Sequence, residues 1–223
     1  MFESFEAGAK PGVTTGGRES YDERLNHILE AATNVIARVG YGHASMRAVA
    51  KAAQVSLAGM YHYFDSKEKM LFLIQFRTFN SLLQNLREKL HGVEEPVEQL
   101  RVMVRSHIGY FATDMAALKV CSHELDALTG SRYEDLRHLR HQYYELTRAI
   151  IERVFQSRAP GGGLDEHVAT MALFGTLNWL YRWYRPGPDY SVNGLANQIT
   201  RLFLTGIIGL KPAADGSASS AES

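Results

Sequence analysis

Ser45, Arg47, Ser56, Tyr61, His62, Tyr63 and Lys67 fall within one short stretch of the chain. Hydroxyls and cations near helix starts suit phosphate oxygens, and side chains in the first turn of a slim helix can reach base edges. Residues 46–53 read as a short helix whose first free amides Ser45 can cap, and 57–64 as a second with Ser56 in the same position. Ala48, Val49 and Ala52 give the first helix a small packing face. Gln54 and Val55 make the turn, with Val55 filling the gap between the helices. Two short capped helices joined by about three residues outline a helix-turn-helix. Its base-reading positions are Ser56, Leu57, Ala58, Gly59 and Tyr61, and Ala58 and Gly59 keep that front narrow enough for a major groove. Ser45 and Arg47 stand at an exposed helix N-terminus, which itself favours an anion. Between Tyr41 and Met70, Arg47, Lys51, Lys67 and Lys69 outnumber Asp65 and Glu68. Taken singly, Tyr61, Tyr63 and Phe64 read equally as core aromatics and Lys67 as a surface lysine; their order is the specific signal.

Helices must position these side chains, and helical periodicity runs through nearly the whole chain. A helix over 21–39 carries Leu25, Ile28, Leu29, Ala32, Ile36 and Val39 on one face, and Gly40 and Gly42 stop it. Ser66 caps a long helix to Leu90 with Leu71, Ile74, Thr78, Leu82, Leu86 and Leu90 along one stripe, ended by Gly92. Further helices are expected over 97–114, 117–128 and 133–156. Residues 158–163, with Pro160 and three glycines, break the pattern. Asp165 caps a helix reaching Tyr184; Pro186 and Pro188 break again; Ser191 caps a last helix ending near Leu210. Strand-like alternation is scarce. The fold class is therefore all-α: an N-terminal three-helix helix-turn-helix domain at 21–68 and a second helical domain at 69–210. Residues 1–20 and 211–223 read as a flexible arm and a flexible tail.

The run Ser45-Met46-Arg47-Ala48-Val49-Ala50, with Ala53-Gln54-Val55-Ser56 and then Gly59-Met60-Tyr61-His62-Tyr63-Phe64-Asp65-Ser66-Lys67-Glu68, closely resembles the signature of the TetR family of repressors. The likeness is good from about Leu25 to Ile74. It implies groove-facing roles for Leu57, Ala58, Gly59 and Tyr61, with phosphate contacts from Ser45, Arg47, Tyr63 and Lys67. Two positions depart from the family. Gln54 stands where glycine is usual, so a left-handed glutamine there costs about 1 kcal/mol. Leu57 is apolar at a base-reading position; it can meet thymine methyls but cannot read guanine.

The resemblance also assigns effector binding and dimerisation to the second domain, 69–210. The expected helices 168–184 and 192–208 are unusually apolar. Ala172, Gly175, Leu195, Ile199, Leu202, Gly206 and Ile207 would let two helix pairs approach as a four-helix bundle, although the same residues could fill one protomer's core. Candidate effector-lining residues are Met103, His107, Tyr110, Phe111, Tyr144, Phe174, Trp179 and Arg182, with Cys121 beside them; the alternative for each is ordinary core. The stretch from Asn178 to Gly187 is similar to one found in TetR-family regulators of fatty-acid, steroid or aromatic-acid breakdown that respond to acyl-CoA thioesters. On that likeness Arg182, Arg185 or Arg140 would meet the phosphates of coenzyme A. The expected partners are thus an operator in double-stranded DNA, a small-molecule effector such as an acyl-CoA, and a second copy of the chain.

Other function classes fare worse. The chain has 223 residues with 45% hydrophobic and 22% charged residues and a formal net charge of +0, which argues for a globular body and against a nonspecific nucleic-acid coat. A single cysteine, Cys121, allows no intrachain disulfide and no thiolate-rich zinc site. His138 and His141, with Glu134 and Glu145 near them, have a spacing that can seat a metal, but they stand among Arg132, Arg137, Arg140 and Arg148 and read as a solvated charged face. Gly161-Gly162-Gly163 lacks the lysine and hydroxyl of a phosphate loop. No catalytic residue, metal or cofactor is expected, and no apolar run is long enough to span a membrane. A cytoplasmic setting fits. An activator, or a regulator that answers to another protein, remains the open rival to a ligand-released repressor.

Overall fold

The computed structural model describes residues 20–158, 164–187 and 190–208; the expected arm at 1–19, the glycine-rich break at 159–163 and the tail at 211–223 lie outside them. Ser20, assigned to the arm from sequence, instead opens the first helix. Its side chain accepts the Glu23 amide while Glu23 accepts the Ser20 amide at 2.7 Å, a reciprocal cap. Helix α1, Tyr21–Val39, follows, and Gly40 at φ 81° ends it. Its expected stripe is buried except for Val39, which is exposed.

Helices α2 (Met46–Ala52) and α3 (Leu57–Tyr63) are each opened by the expected serine: Ser45 accepts from the Ala48 amide at 3.1 Å and Ser56 from the Gly59 amide at 3.0 Å. Ser66 opens α4, Lys67–Leu90. Then come α5 (Pro96–Ala112), α6 (Met115–His123), a single 3₁₀ turn (Leu125–Ala127) and α7 (Gly130–Arg158).

The expected helix at 117–128 is shorter and begins earlier, because Asp114 caps it and the Glu124 backbone leaves it. The helix expected to run to Tyr184 is divided. Helix α8, Glu166–Asn178, stops at Trp179, where the ladder tightens to an i→i+3 bond from the Arg182 amide to the Trp179 carbonyl. A short α9, Leu180–Trp183, follows, and α10, Val192–Ile208, completes the fold, with Ser191 accepting from the Gly194 amide at 3.1 Å. Among the described residues no strand forms; Gly187 and Tyr190 make one isolated bridge.

Two cores share α4. Its N-terminal half buries Met70, Leu71 and Ile74 with α1, α2 and α3; its C-terminal half buries Leu82, Leu83 and Leu86 with α5, α7, α8 and α10. The smaller core is closed from above by Val120 of α6 and by Leu128 and Leu136. The N-terminal helices are thus roofed by the later ones, and α4 and α6 contribute to both cores.

Candidate DNA interface and effector cavity

The turn between α2 and α3 is built around Gln54, whose φ of 54° is the one positive φ of a non-glycine among the described residues. The amide of Gln54 donates to the Lys51 carbonyl at 3.3 Å and that of Val55 to the Ala50 carbonyl at 3.0 Å. This paired pattern is the Schellman helix ending, which demands a left-handed residue where Gln54 stands. Val55 then packs half-buried against the N-terminal core. The sequence expectation of a left-handed glutamine holds.

Around this turn Ser45, Arg47, Ser56, Ala58, Tyr61 and His62 are exposed, and Leu57, Gly59, Tyr63 and Lys67 are half-buried. Met60 and Phe64, on the opposite side of the segment, are fully buried at 0%. The second helix therefore presents one polar and slim edge while its apolar edge anchors it. Gly59 has no room for more: a Cβ there would approach the Ser56 hydroxyl to 3.1 Å and press on the cap. Tyr63 stacks on Tyr21 with ring centroids 4.9 Å apart.

Lys67 is more committed than its sequence reading suggested. Its ammonium donates to the carbonyls of Tyr41 at 2.9 Å and Ala44 at 3.0 Å and lies over the Tyr41 ring. Two of an ammonium's three donors thus tie the α1–α2 turn to α4, and one is left for phosphate. The two nearby carboxylates are also engaged. Glu68 accepts from the Thr129 amide at 2.9 Å and pairs with Arg132, and Asp65 pairs with Arg132 and Lys69. Those contacts hold Glu68 below the usual carboxylate pKa, the Thr129 amide first among them.

The second site is a cavity of about 240 Å³ between α4, α5, α6, α7 and α8. Of the candidate effector residues, His107, Phe111, Tyr144 and Phe174 line it, and so does Cys121. The other four do not. Met103 is fully buried in the core, and Tyr110 packs half-buried against it. Trp179 and Arg182 are exposed, the guanidinium 5.7 Å from the indole ring; the turn at Trp179 carries both away. Arg185 is likewise exposed, donating to the Tyr184 carbonyl at 2.8 Å. Arg140, the third arginine considered for phosphates, does line the cavity. Sequence reasoning missed Phe79, Leu118, Ser122, Tyr143, Met171 and Asn178, and considered His141 only for a metal. Tyr143 was within reach, lying four residues before the buried Thr147 on the α7 stripe.

His107 and Tyr143 form the polar centre of the wall. The His107 Nδ1 and Tyr143 hydroxyl are 3.1 Å apart, and the His107 Nε2 has no hydrogen-bond partner. Burial pushes the imidazole pKa down to about 3, so the ring is neutral. It pushes the Tyr143 phenol up, so the phenol stays protonated; with the phenol donating to Nδ1, the proton of the neutral ring sits on Nε2. Burial also pushes the Cys121 thiol up to about 12, which makes it a small core residue rather than a reactive thiolate.

Helix α6 joins the two sites. Its Leu118, Cys121 and Ser122 face the cavity. Lys119 donates to the Ala37 carbonyl at the end of α1, and the Glu124 carboxylate accepts from the Tyr41 amide at 3.1 Å. Gln75 of α4 in turn holds the Glu124 carbonyl at 3.1 Å.

The histidine–carboxylate cluster considered for a metal is resolved into ion pairs. Glu134 meets Arg137 at 2.9 Å, and Glu145 meets both Arg148 at 2.9 Å and His141 at 3.8 Å. Among the described residues no group of three or more possible ligands converges, and none of their helices is long and apolar enough to cross a membrane. On the outside of α8 and α10, Leu164, Val168, Ala172, Thr176, Leu202, Phe203 and Gly206 line an apolar groove, with Leu202 74% exposed. Gly175 is exposed beside it. Of the residues expected at a dimer seam, Leu195 is buried in the protomer's own core, and Ile199 is buried there too but also lines this groove; the side chain of Ile207 lies outside the described residues.

Comparison with known proteins agrees with this architecture. Residues 28–74 match the family model "Bacterial regulatory proteins, tetR family", and residues 93–207 match "Tetracyclin repressor-like, C-terminal domain". The "Fatty acid metabolism regulator protein" of Bacillus subtilis is 25% identical over 81% of this chain and 93% of its own. A solved TetR-family transcriptional regulator from Bordetella parapertussis is 31% identical, with a TM-score of 0.77 over 86% of this chain and all of its own. AibR, solved in complex with isovaleryl coenzyme A and operator DNA, shares the fold at 24% identity and a TM-score of 0.70, over 85% of this chain and 100% of its own.

Proposed function

The chain belongs to the TetR family of bacterial regulatory proteins and is a DNA-binding transcriptional regulator rather than an enzyme, and from that premise we propose that it is a homodimeric repressor released from a palindromic operator by a small apolar effector, an acyl-CoA thioester. Residues 21–68 are the DNA-binding unit and 69–210 the effector and dimer unit, working in the cytoplasm. Ser56, Leu57, Ala58, Gly59, Tyr61 and His62 read the groove; Ser45, Arg47, Tyr63 and the remaining donor of Lys67 hold phosphates. Two copies meet through the exposed groove of α8 and α10. A palindromic operator then asks for recognition helices about 34 Å apart, the spacing of successive major grooves.

The observation that carries the proposal is the bridge made by α6. A ligand releases DNA only if it binds more tightly to a state whose recognition helices are wrongly spaced. Filling the cavity presses on Leu118, Cys121 and Ser122, and the same helix grips α1 through Lys119 and Glu124. A small shift of α6 is therefore a shift of the DNA unit. The acyl part of the effector occupies the cavity, and the nucleotide part, too large for about 240 Å³, stays outside the rim at His141 and Met171. Two similarities support this effector class: the Asn178–Gly187 stretch, and the relatives concerned with fatty-acid metabolism and isovaleryl coenzyme A.

The test is binding to the promoter upstream of the chain's own gene, with and without a panel of acyl-CoA esters. A salt-sensitive, sequence-specific complex dissolved by one ester is the expected result. A specific complex untouched by the whole panel removes the thioester effector. Folded dimer with no specific site in genome-wide selection removes the regulator reading itself.

A further inference from the structure

Arg140 is the unusual group in the cavity. Its side chain is half-buried, with its guanidinium 4.7 Å from the centre of the Phe79 ring, and one nitrogen donates to the Cys121 carbonyl at 2.6 Å. Among the described residues no carboxylate stands within 4 Å of it, and no Asp or Glu lines the cavity. Asp126 is near enough to act on it through its field, yet does not pair with it. A guanidinium offers five donors in a flat fork; here one is engaged, and the charge lies over Phe79 in a wall that also carries Phe111, Leu118 and Phe174. Burying a cation without an anion is costly, and burial already pulls this guanidinium's pKa down. The neighbouring polar wall adds a second unused group, the Nε2 of His107.

On the reading of this cavity as the effector's seat, we infer that it is built for a carboxylate on an apolar body, with Arg140 as the anion's partner and His107 Nε2–H as a further donor. The size of the cavity narrows the body. About 240 Å³ exceeds the ~150 Å³ that holds benzene and falls short of the ~300–1,000 Å³ of drug-sized sites. One ring with a short chain fits; a nucleotide diphosphate does not, so the anion at Arg140 is a small acid rather than a coenzyme phosphate.

Isothermal titration of the full-length dimer tests this with a panel of acids from benzoate and 4-phenylbutyrate to decanoate, each beside its neutral amide, and with 4-phenylbutyryl-CoA, which has no carboxylate. At least one acid should bind the unmodified protein about ten- to hundredfold more tightly than its amide, the range for a hydrogen bond to a charged group. Arg140→Met, which keeps an apolar stem over Phe79, should abolish that ratio, and Arg140→Lys should retain part of it. The acid–amide comparison on unmodified protein stands even if a variant fails to fold. Equal binding of acid and amide, a ratio that survives Arg140→Met, or no acid binding below about 1 mM overturns the inference. DNA release separates the two readings. Release by 4-phenylbutyryl-CoA that Arg140→Met leaves unchanged overturns the carboxylate site and keeps the thioester effector. Acid binding that depends on Arg140, with no ligand releasing DNA, keeps the site and overturns the effector mechanism.

Discussion

Replacing Gln54 by glycine should stabilise this protein, against the usual direction of glycine substitutions. At φ 54° the glutamine Cβ crowds its own carbonyl, a conformation that costs an L-residue roughly 1–2 kcal/mol. Glycine removes that strain but adds backbone freedom to the unfolded chain worth roughly 0.4–1 kcal/mol. The difference is a gain of about 0.5–1 kcal/mol. Nothing else of weight is lost, because the Gln54 side chain is exposed and the two amide bonds of the turn are made by backbone. For a chain of this length that gain raises Tm by roughly 1–4 °C. Thermal unfolding followed by circular dichroism at 222 nm reads it, at one fixed protomer concentration because assembly also shifts Tm. Gln54→Ala keeps the strain and should leave Tm where it is; Gln54→Val, branched at Cβ, should lower it. A glycine variant no more stable than wild type, with the valine variant also unchanged, would refute the claim that the turn stores strain.

Arg47→Ala should weaken DNA binding about equally across sequences and reduce the salt slope of log K by about 0.9, measured by fluorescence anisotropy of a labelled operator across a salt series. Leu202→Glu puts a charge on a side chain 74% exposed in the apolar groove; the expected product is a folded monomer by sedimentation, with loss of operator binding. His107 supplies a pH dependence: burial lowers its pKa to about 3 when folded against about 6.5 unfolded. The unfolded state therefore binds more protons between those values, so this stabilisation is full above about pH 6.5 and falls by about 1.4 kcal/mol per unit below it. Urea unfolding at pH 7 and pH 5 should show a loss of about 2 kcal/mol that His107→Phe does not show; equal losses in both proteins would disprove it.

How much of this was legible in sequence follows from where the signals are local. Ser45, Ser56, Ser66, Asp165 and Ser191 were all readable as caps, because capping involves a side chain and an amide three residues on. The left-handed turn at Gln54 was readable from its place between two capped helices. The division at Trp179 was not. No proline or glycine marks it, and Leu177 and Leu180 are both buried, as an unbroken helix would also have them. Trp179 and Arg182 looked like cavity residues because their chemistry suits one, and only the course of the chain beyond Asn178 places them outside. At the proposed dimer face composition misled similarly for Leu195, which is as apolar as Leu202 but is buried in the protomer's own core while Leu202 remains outside.

The cavity exposes a deeper reason. Its wall takes residues from α4, α5, α6, α7 and α8, and no spacing rule connects Phe79 with Phe174. The buried faces of these helices carry one apolar pattern whether they meet a neighbour or an empty space, so periodicity finds the wall but not the gap. What marks the gap emerges only in three dimensions: the unpaired guanidinium of Arg140 and, in the same wall, the unpartnered Nε2 of His107. A core filled only with its own residues gains nothing by keeping either. Arg140 holds the Cys121 carbonyl of α6, and Lys119 of that helix and Glu124 at its end grip the end of α1 and the turn after it. The polar groups that a ligand would satisfy and the helix that would move the DNA unit are thus the same neighbourhood, which is what coupling between the two sites requires.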